Sequence, residues 1–438
     1  MGRTIIKTWT YCAGFAVRLC LFLTNFHHVF HQRIEVSTPL NSWLRVQEGL
    51  YLMRKGISPY TGDTFHETPV ALLIADYLVK LPELLICLVF ILCDLLTAVA
   101  LASGVEEAKR FYFIKSQKTS KYIHSEDTKH LKIEEKENYG ELVIMSYLLN
   151  PFTIVNCVGQ TTTVFGNLVM AVSILSMLKG YRLLTGISLA LCTYQSLYPV
   201  SLIFPAIISI YNKESETEGS KKKSTFTTSA VKTVLSFLIP FLSLMYISHF
   251  VTNDWGFLDS TFGFILNVRD LKPNIGLFWY FFTEMFGHFH LLFICTFQIN
   301  AFIYMIPLTI RFFNEPSILI YSFCALMSIF KSYPCIGDVG FYLALLPMWK
   351  HLFPFMQQKF LVGCFFIATS VLAPIQWFLW IYSGSANANF YFGVTIAFGT
   401  AQIFLLTDVL LAYMKREYYL CHGMKKEIDG KPAGLSLQ

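Results

Sequence analysis

Residues 272–297 read KPNIGLFWYFFTEMFGHFHLLFICTF. The stretch is apolar and aromatic enough to lie in a bilayer, yet it carries Glu284, His288 and His290. An ionisable side chain in a lipid-bounded span is costly, so it faces other protein or a water-filled cavity. Tyr280, Glu284 and His288 recur at i, i+4 and i+8, a spacing that predicts one face of a helix. That face is expected to line a cavity for a polar head group, or to form a polar seam against a neighbouring span. The seam is the commoner use of such residues.

The rest of the chain fits the same environment. Of 438 residues, 54% are hydrophobic and only 14% charged, and the mean hydropathy is +0.51. Such values place the chain among membrane proteins and leave no room for a soluble domain. A single polytopic, all-α membrane domain over residues 1–438 is predicted. The eleven cysteines stand singly, mostly in apolar runs, as at Cys87, Cys93, Cys295 and Cys364. They read as small buried hydrophobes, since no CxxC or metal-like spacing occurs. No Asn-x-Ser/Thr sequon is present. The net charge of +6 is concentrated in loops, which suits membrane topology better than nucleic-acid binding.

Arg3 and Lys7 precede an apolar stretch to about Phe26 that contains Arg18, and it reads as a retained first span with a cytosolic N-terminus. Residues 27–69 are too polar to span and are expected to face the lumen, with a short surface helix over Trp43–Leu52. An apolar run to about Ser103, broken at Pro82, leads into a lysine-rich loop at 104–140. Further spans are expected at 141–156, 158–178, 183–211, 231–252, 275–296, 298–313, 317–333, 338–354, 359–382 and 390–414. About twelve spans result, several of them short of the roughly 20 residues a straight crossing needs. Prolines 151, 199, 205, 240, 307, 334, 347 and 374 account for some breaks. The loop at 212–232 and the tail at 415–438 are basic and expected to be cytosolic. Lys221, Lys222 and Arg311 are candidates for holding membrane phospholipid phosphates, although topology alone explains them.

A sugar-transferring membrane enzyme needs lumenal acid/base groups or an acidic pair. The lumenal acids Glu35, Glu48, Asp63 and Glu67 are well separated and form no Asp-x-Asp. His66-Glu67 suggests an acid/base couple, but adjacent residues point to different faces. No nucleophile motif, phosphate-cradling loop or cofactor signature occurs. The other candidate is residues 381–390, IYSGSANANF, between the last two spans. Small residues let backbone approach a ligand, and Asn387 and Asn389 offer uncharged donors and acceptors for sugar hydroxyls or phosphate oxygens. A simple turn explains the same residues equally well.

SPYTGDTFHETP, LNPFTIVNC, TYQSLYP, PNIGLFWYFFTEMFGHF, FQIN, FKSYPCIGDV, IYSGSANANF and KREYYLCHG occur in collinear order from about residue 33 to 423. Together they resemble the PIG-U family, the polytopic subunit of the glycosylphosphatidylinositol (GPI) transamidase of the endoplasmic reticulum. The resemblance implies a multi-pass endoplasmic reticulum protein acting with PIG-K, PIG-T, PIG-S and GPAA1-type subunits. The complex replaces a precursor's C-terminal signal with a GPI lipid, and its nucleophilic cysteine belongs to the caspase-like PIG-K. The PIG-U family in turn looks like GT-C-type GPI mannosyltransferases, which implies a GT-C-like bundle. Those enzymes carry an acidic pair in the first lumenal loop, where this chain reads Arg33-Ile34-Glu35-Val36-Ser37 with one acid.

The expectation is a non-catalytic subunit that needs no cofactor and presents the GPI lipid. Asn387 and Asn389 would meet the head group, and Tyr280, Glu284 and His288 would line the cavity. Two alternatives stay open: a lumenal glycosyltransferase using a dolichol-phosphate sugar with Glu35 or Glu67 as base, and a pure assembly scaffold.

Overall fold

The computed structural model describes residues 2–119, 138–217, 225–422, 427–428 and 431–432. Among them the only strands are Glu427–Ile428 and Lys431–Pro432, a two-residue antiparallel pair in the tail. All other regular structure is helical. The first half holds α1 (Gly2–Leu23), α2 (Phe26–His31), α3 (Trp43–Arg54), α4 (Pro69–Val79), α5 (Glu83–Thr119), α6 (Tyr139–Leu148), α7 (Pro151–Val158), α8 (Thr163–Lys179), α9 (Arg182–Ser196) and α10 (Ile203–Thr217). The second holds α11 (Phe226–Thr252), α12 (Phe264–Asn267), α13 (Phe278–Glu284), α14 (His290–Asn300), α15 (Met305–Arg311), α16 (Pro316–Phe330), α17 (Ile336–Leu345), α18 (Lys359–Ile381) and α19 (Ala388–His422).

Local sequence sets these boundaries. Pro69, Pro151 and Pro316 each occupy a first helical position, where the missing N–H leaves no bond unmade. The Asn150 side chain accepts from the Phe152 amide and caps α7. α8 stops at Gly180, whose φ of 81° a side chain would disfavour.

Five helical stretches among the described residues are long and apolar enough to cross a membrane: Glu83–Tyr112, Phe226–Thr252, Gly287–Arg311, Lys359–Ile381 and Ala388–Leu420. The bent pair α6 and α7, which meet at 50°, makes a sixth if it counts as one crossing. The other apolar runs are shorter or broken. The run at 183–211 divides at Leu197, which takes a φ of 61° just before Tyr198-Pro199. That at 275–296 is not one helix, because backbone turns extended at Met285 before Gly287. The loop expected at 104–140 is shorter than its charge suggested: α5 runs on to Thr119, and 120–137 lie outside the described residues. Likewise α10 reaches Thr217, α11 starts at Phe226, and α19 carries the chain past 415.

Buried polar groups lock the bundle. Arg18 of α1 is fully buried and meets Asp94 of α5 at 2.6 Å. It also donates to the Leu148 carbonyl at 2.8 Å, while the Tyr147 hydroxyl donates to the second Asp94 oxygen at 2.8 Å. Every charge there is matched, the condition for tolerating an ion pair away from water. A second network joins Tyr198, Gln298 and Ser332, and Gln298 also donates to the carbonyls of Ile265 and Leu266 at 3.0 and 3.1 Å. Small residues bring helices together where no side chain fits. A Cβ on Gly186 of α9 would sit 2.2 Å from the Ser236 carbonyl of α11.

Candidate functional site

Three separate parts of the chain converge around the 381–390 loop: segment 33–36, α13, and the facing ends of α18 and α19. Asn387 stands just before α19, and its side-chain oxygen accepts from the Asn389 amide at 3.0 Å, as a helix N-cap does. The Asn389 side-chain oxygen accepts from the Tyr280 hydroxyl of α13. Both asparagines are exposed, and neither amide nitrogen is bonded to protein among the described residues. Each therefore keeps donors for an outside partner while its oxygen fixes its position. Gly384, with φ at 63°, makes the bend that sets the loop over the helix ends.

Beneath the loop lies an aromatic platform. Tyr280 stacks on Phe392 at 4.4 Å between ring centres, and Trp279 lies 6.2 Å from Trp380 and 6.1 Å from Tyr391. The indole N–H of Trp279 is buried and has no hydrogen-bond partner among the described residues. Tyr391 is fully buried and donates its hydroxyl to Glu35 at 3.3 Å. Arg33 grips the same carboxylate with two bonds of 2.9 and 3.1 Å, and the Glu35 carbonyl accepts from the Ile336 amide at 3.0 Å. Glu35 thus ties the segment 33–36 to the last long helix, with both oxygens engaged.

From this cluster an apolar groove of about 460 Å³ runs between α2, α7, α18 and α19. Its wall is mostly Phe30, Val36, Phe152, Val155, Ala373 and Phe398, with Arg33 and Glu35 as its charged margin. Hydrocarbon surface ending in a small polar cluster is the chemistry of a lipid site. Among the described residues no group of three or more His, Cys, Asp or Glu has metal-binding geometry.

The Tyr280–Glu284–His288 face does not form. α13 ends at Glu284, Met285 is extended, and His288 sits in a separate turn over Gly287–Phe289. Glycine is a poor helix former, and the sequence spacing holds only while a helix continues. Glu284 and His288 are exposed and border none of the cavities described here; Tyr280 alone joins the asparagines. Arg311 closes α15 on the exposed surface, its guanidinium 5.9 Å from the Phe312 ring centre. Lys221 and Lys222 lie outside the described residues.

His66 and Glu67 point apart, as neighbours in irregular backbone do. His66 stacks on Phe264 at 3.4 Å, with its ring nitrogens 2.9 Å from the Ser260 carbonyl and 3.1 Å from that of Asp63. Burial holds its pKa below the ordinary value. Glu67 turns into the bundle, accepts from the Thr162 hydroxyl, and is pushed up to about 7 by burial. Sequence reasoning missed the Glu35–Tyr391 bond and the tryptophan platform. The available signal was the lone acid of segment 33–36, with an aromatic run directly after the asparagine loop.

The sequence matches the family described as GPI transamidase subunit PIG-U over residues 12–398. It is 41% identical over 426 residues to a GPI-anchor transamidase component PIGU of Mus musculus, covering 96% of this chain and 97% of that one. It is likewise 41% identical over 427 residues to the Homo sapiens protein of that name, with 96% and 97% covered. A GPI transamidase component GAB1 of Saccharomyces cerevisiae is 28% identical over 419 residues, with 95% and 96% covered. Matched along nearly its whole length, the chain belongs to the PIG-U family.

Proposed function

We propose that the chain is a non-catalytic, multi-pass subunit of the GPI transamidase complex in the endoplasmic reticulum membrane, and that it holds the GPI lipid. The names of its relatives support membership of the complex. PIG-K, PIG-T, PIG-S and GPAA1-type proteins are the partners this reading proposes. The observation that supports the lipid role is the groove of about 460 Å³, whose margin at Glu35 is bonded to Tyr391, two residues after the Asn389 that Tyr280 positions. Acyl chains occupy the groove, and the Asn387 and Asn389 amides meet the head group. Fixed amides suit hydroxyls and phosphate oxygens, because they donate without bringing a charge to be desolvated. Membrane phospholipid meets the outer face, with Arg311 at the exposed end of α15 as a contact for its phosphates, and Lys221 and Lys222 are proposed for the same role.

We read the bundle as about twelve crossings in a GT-C-like layout, the short and broken helices being tolerated where their free backbone groups are buried in protein. Glu35 is the residue a sugar-transfer reading would use as base, but Arg33 and Tyr391 occupy it, which favours a structural role.

The test is a cell line lacking the native protein, complemented with Asn387→Ala and Asn389→Ala together and scored by a GPI-anchored surface reporter. Surface reporter is expected to fall about tenfold or more while the complex still co-purifies. Normal anchoring with an intact complex would remove the head-group assignment.

A further inference from the structure

A second pair of cavities lies away from the asparagine loop and shares no lining residue with the groove beneath it. The outer space, about 250 Å³, is an apolar sleeve between α4, α8 and α9, walled by Val70, Ile74, Leu78, Phe165, Leu168 and Leu191. Ile74 is 59% exposed, so the sleeve opens onto the apolar outer surface of the helices. The inner space, about 80 Å³, is polar and has room for several water-sized groups. Glu67, Thr162 and Gln195 line both, so the two meet at those side chains.

The inner chamber holds groups that want partners. The Thr38 hydroxyl, on a residue 3% exposed, has none among the described residues. The Gln195 side chain makes no hydrogen bond there either, and Asn167, whose amide donates to the Gly337 carbonyl at 3.4 Å, adds a third neutral polar group with its oxygen unengaged among the described residues. Charge is already balanced: Lys331 and Asp338 pair at 2.6 Å. Glu67 is the remaining ionisable group, and the burial that holds it near 7 disfavours its charged form. An anionic head would face that carboxyl with no spare cation, and a buried cation would have to drive its ionisation.

We propose that this chain carries a second lipid site, in which one hydrocarbon chain fills the sleeve beside α4 and an uncharged, hydroxyl-bearing head enters the Thr38–Asn167–Gln195 chamber. A monoacylglycerol has the required chemistry. The site is independent of the GPI reading, since none of its residues touches the asparagine loop.

The test uses the full-length chain, purified with the subunits that accompany it, and a monoacylglycerol carrying a diazirine on its acyl chain. Cross-links are expected to concentrate in peptides containing Val70–Leu78 and Phe165–Val169. The same acyl chain on a phosphate or an amine head is expected to label them about tenfold less. Ala71→Trp, which fills the sleeve, should remove the labelling, and Thr38→Val should reduce discrimination between hydroxyl and charged heads. If Ala71→Trp does not assemble, excess unlabelled monoacylglycerol on the unaltered chain gives the same readout by competition. Labelling spread evenly over the outer helix faces, equal labelling by charged heads, or no competition would overturn the site. Competition by GPI but not by monoacylglycerol would overturn its assignment to an uncharged lipid.

Discussion

Asn389 and Tyr280 stand 109 residues apart and are joined by one hydrogen bond, which ties the asparagine loop to α13. Tyr280→Phe keeps the ring on Phe392 but frees the Asn389 amide to rotate. A neutral hydrogen bond of this kind contributes about 1 kcal/mol, so anchoring of the surface reporter should drop roughly fivefold with the complex intact. No change would show that the bond does not position the amide. Glu67 gives a second residue-scale expectation. Its ordinary pKa of 4.5 rises to about 7 on folding, so between those values the native state holds a proton that the unfolded chain has released. Stability should fall by up to about 3 kcal/mol as pH rises through that window, then level off. Glu67→Gln should flatten the slope in thermal unfolding at pH 5, 6, 7 and 8, and an unchanged slope would mean another group sets it. The asparagines were legible because small polar residues between two apolar runs are conspicuous. The Arg33–Glu35–Tyr391 contact was not, because Glu35 and Tyr391 lie 356 residues apart and nothing local links them.

At the scale of elements, the helices are held by close approach and by matched buried charge. Gly186→Val would drive a side chain into the Ser236 carbonyl, 2.2 Å from where its Cβ must sit, and wedge α9 from α11. A loss of about 2 kcal/mol or more is expected, read as a lower unfolding temperature of the purified chain in detergent. Arg18→Met should cost about 3–5 kcal/mol, since it strands Asp94 in a dry interior. Arg18→Met with Asp94→Leu should recover most of that cost, because removing both charges also removes the need to bury them. A double variant no better than the single would mean that Arg18 acts through its carbonyl contacts. Helix ends set by proline and glycine could be read in the sequence, as at Pro69, Pro151 and Gly180. Glu284 and His288 show the limit of such reading: helical spacing describes a face only if the helix persists, and α13 stops at Glu284.

For the whole molecule, composition points to a membrane class, and long continuous apolar runs rather than alternating ones point to helices as the spanning form. The number of crossings is harder to read. Among the described residues five helices have full spanning length, while other apolar runs are bent, split at Leu197 or interrupted near Met285. The start of α7 borders the groove and the break at Leu197 borders the inner Glu67 cavity, whereas the interruption at Met285 borders neither. In the function proposed above, this chain holds the GPI head at Asn387 and Asn389 with its acyl chains in the groove between α2, α7, α18 and α19. A density map of the intact complex with GPI bound tests it most directly. The expected map has head-group oxygens within hydrogen-bonding distance of both asparagine amides and chain density against Phe152 and Phe398. GPI density touching only other subunits, or lying on this chain away from that loop, would contradict it.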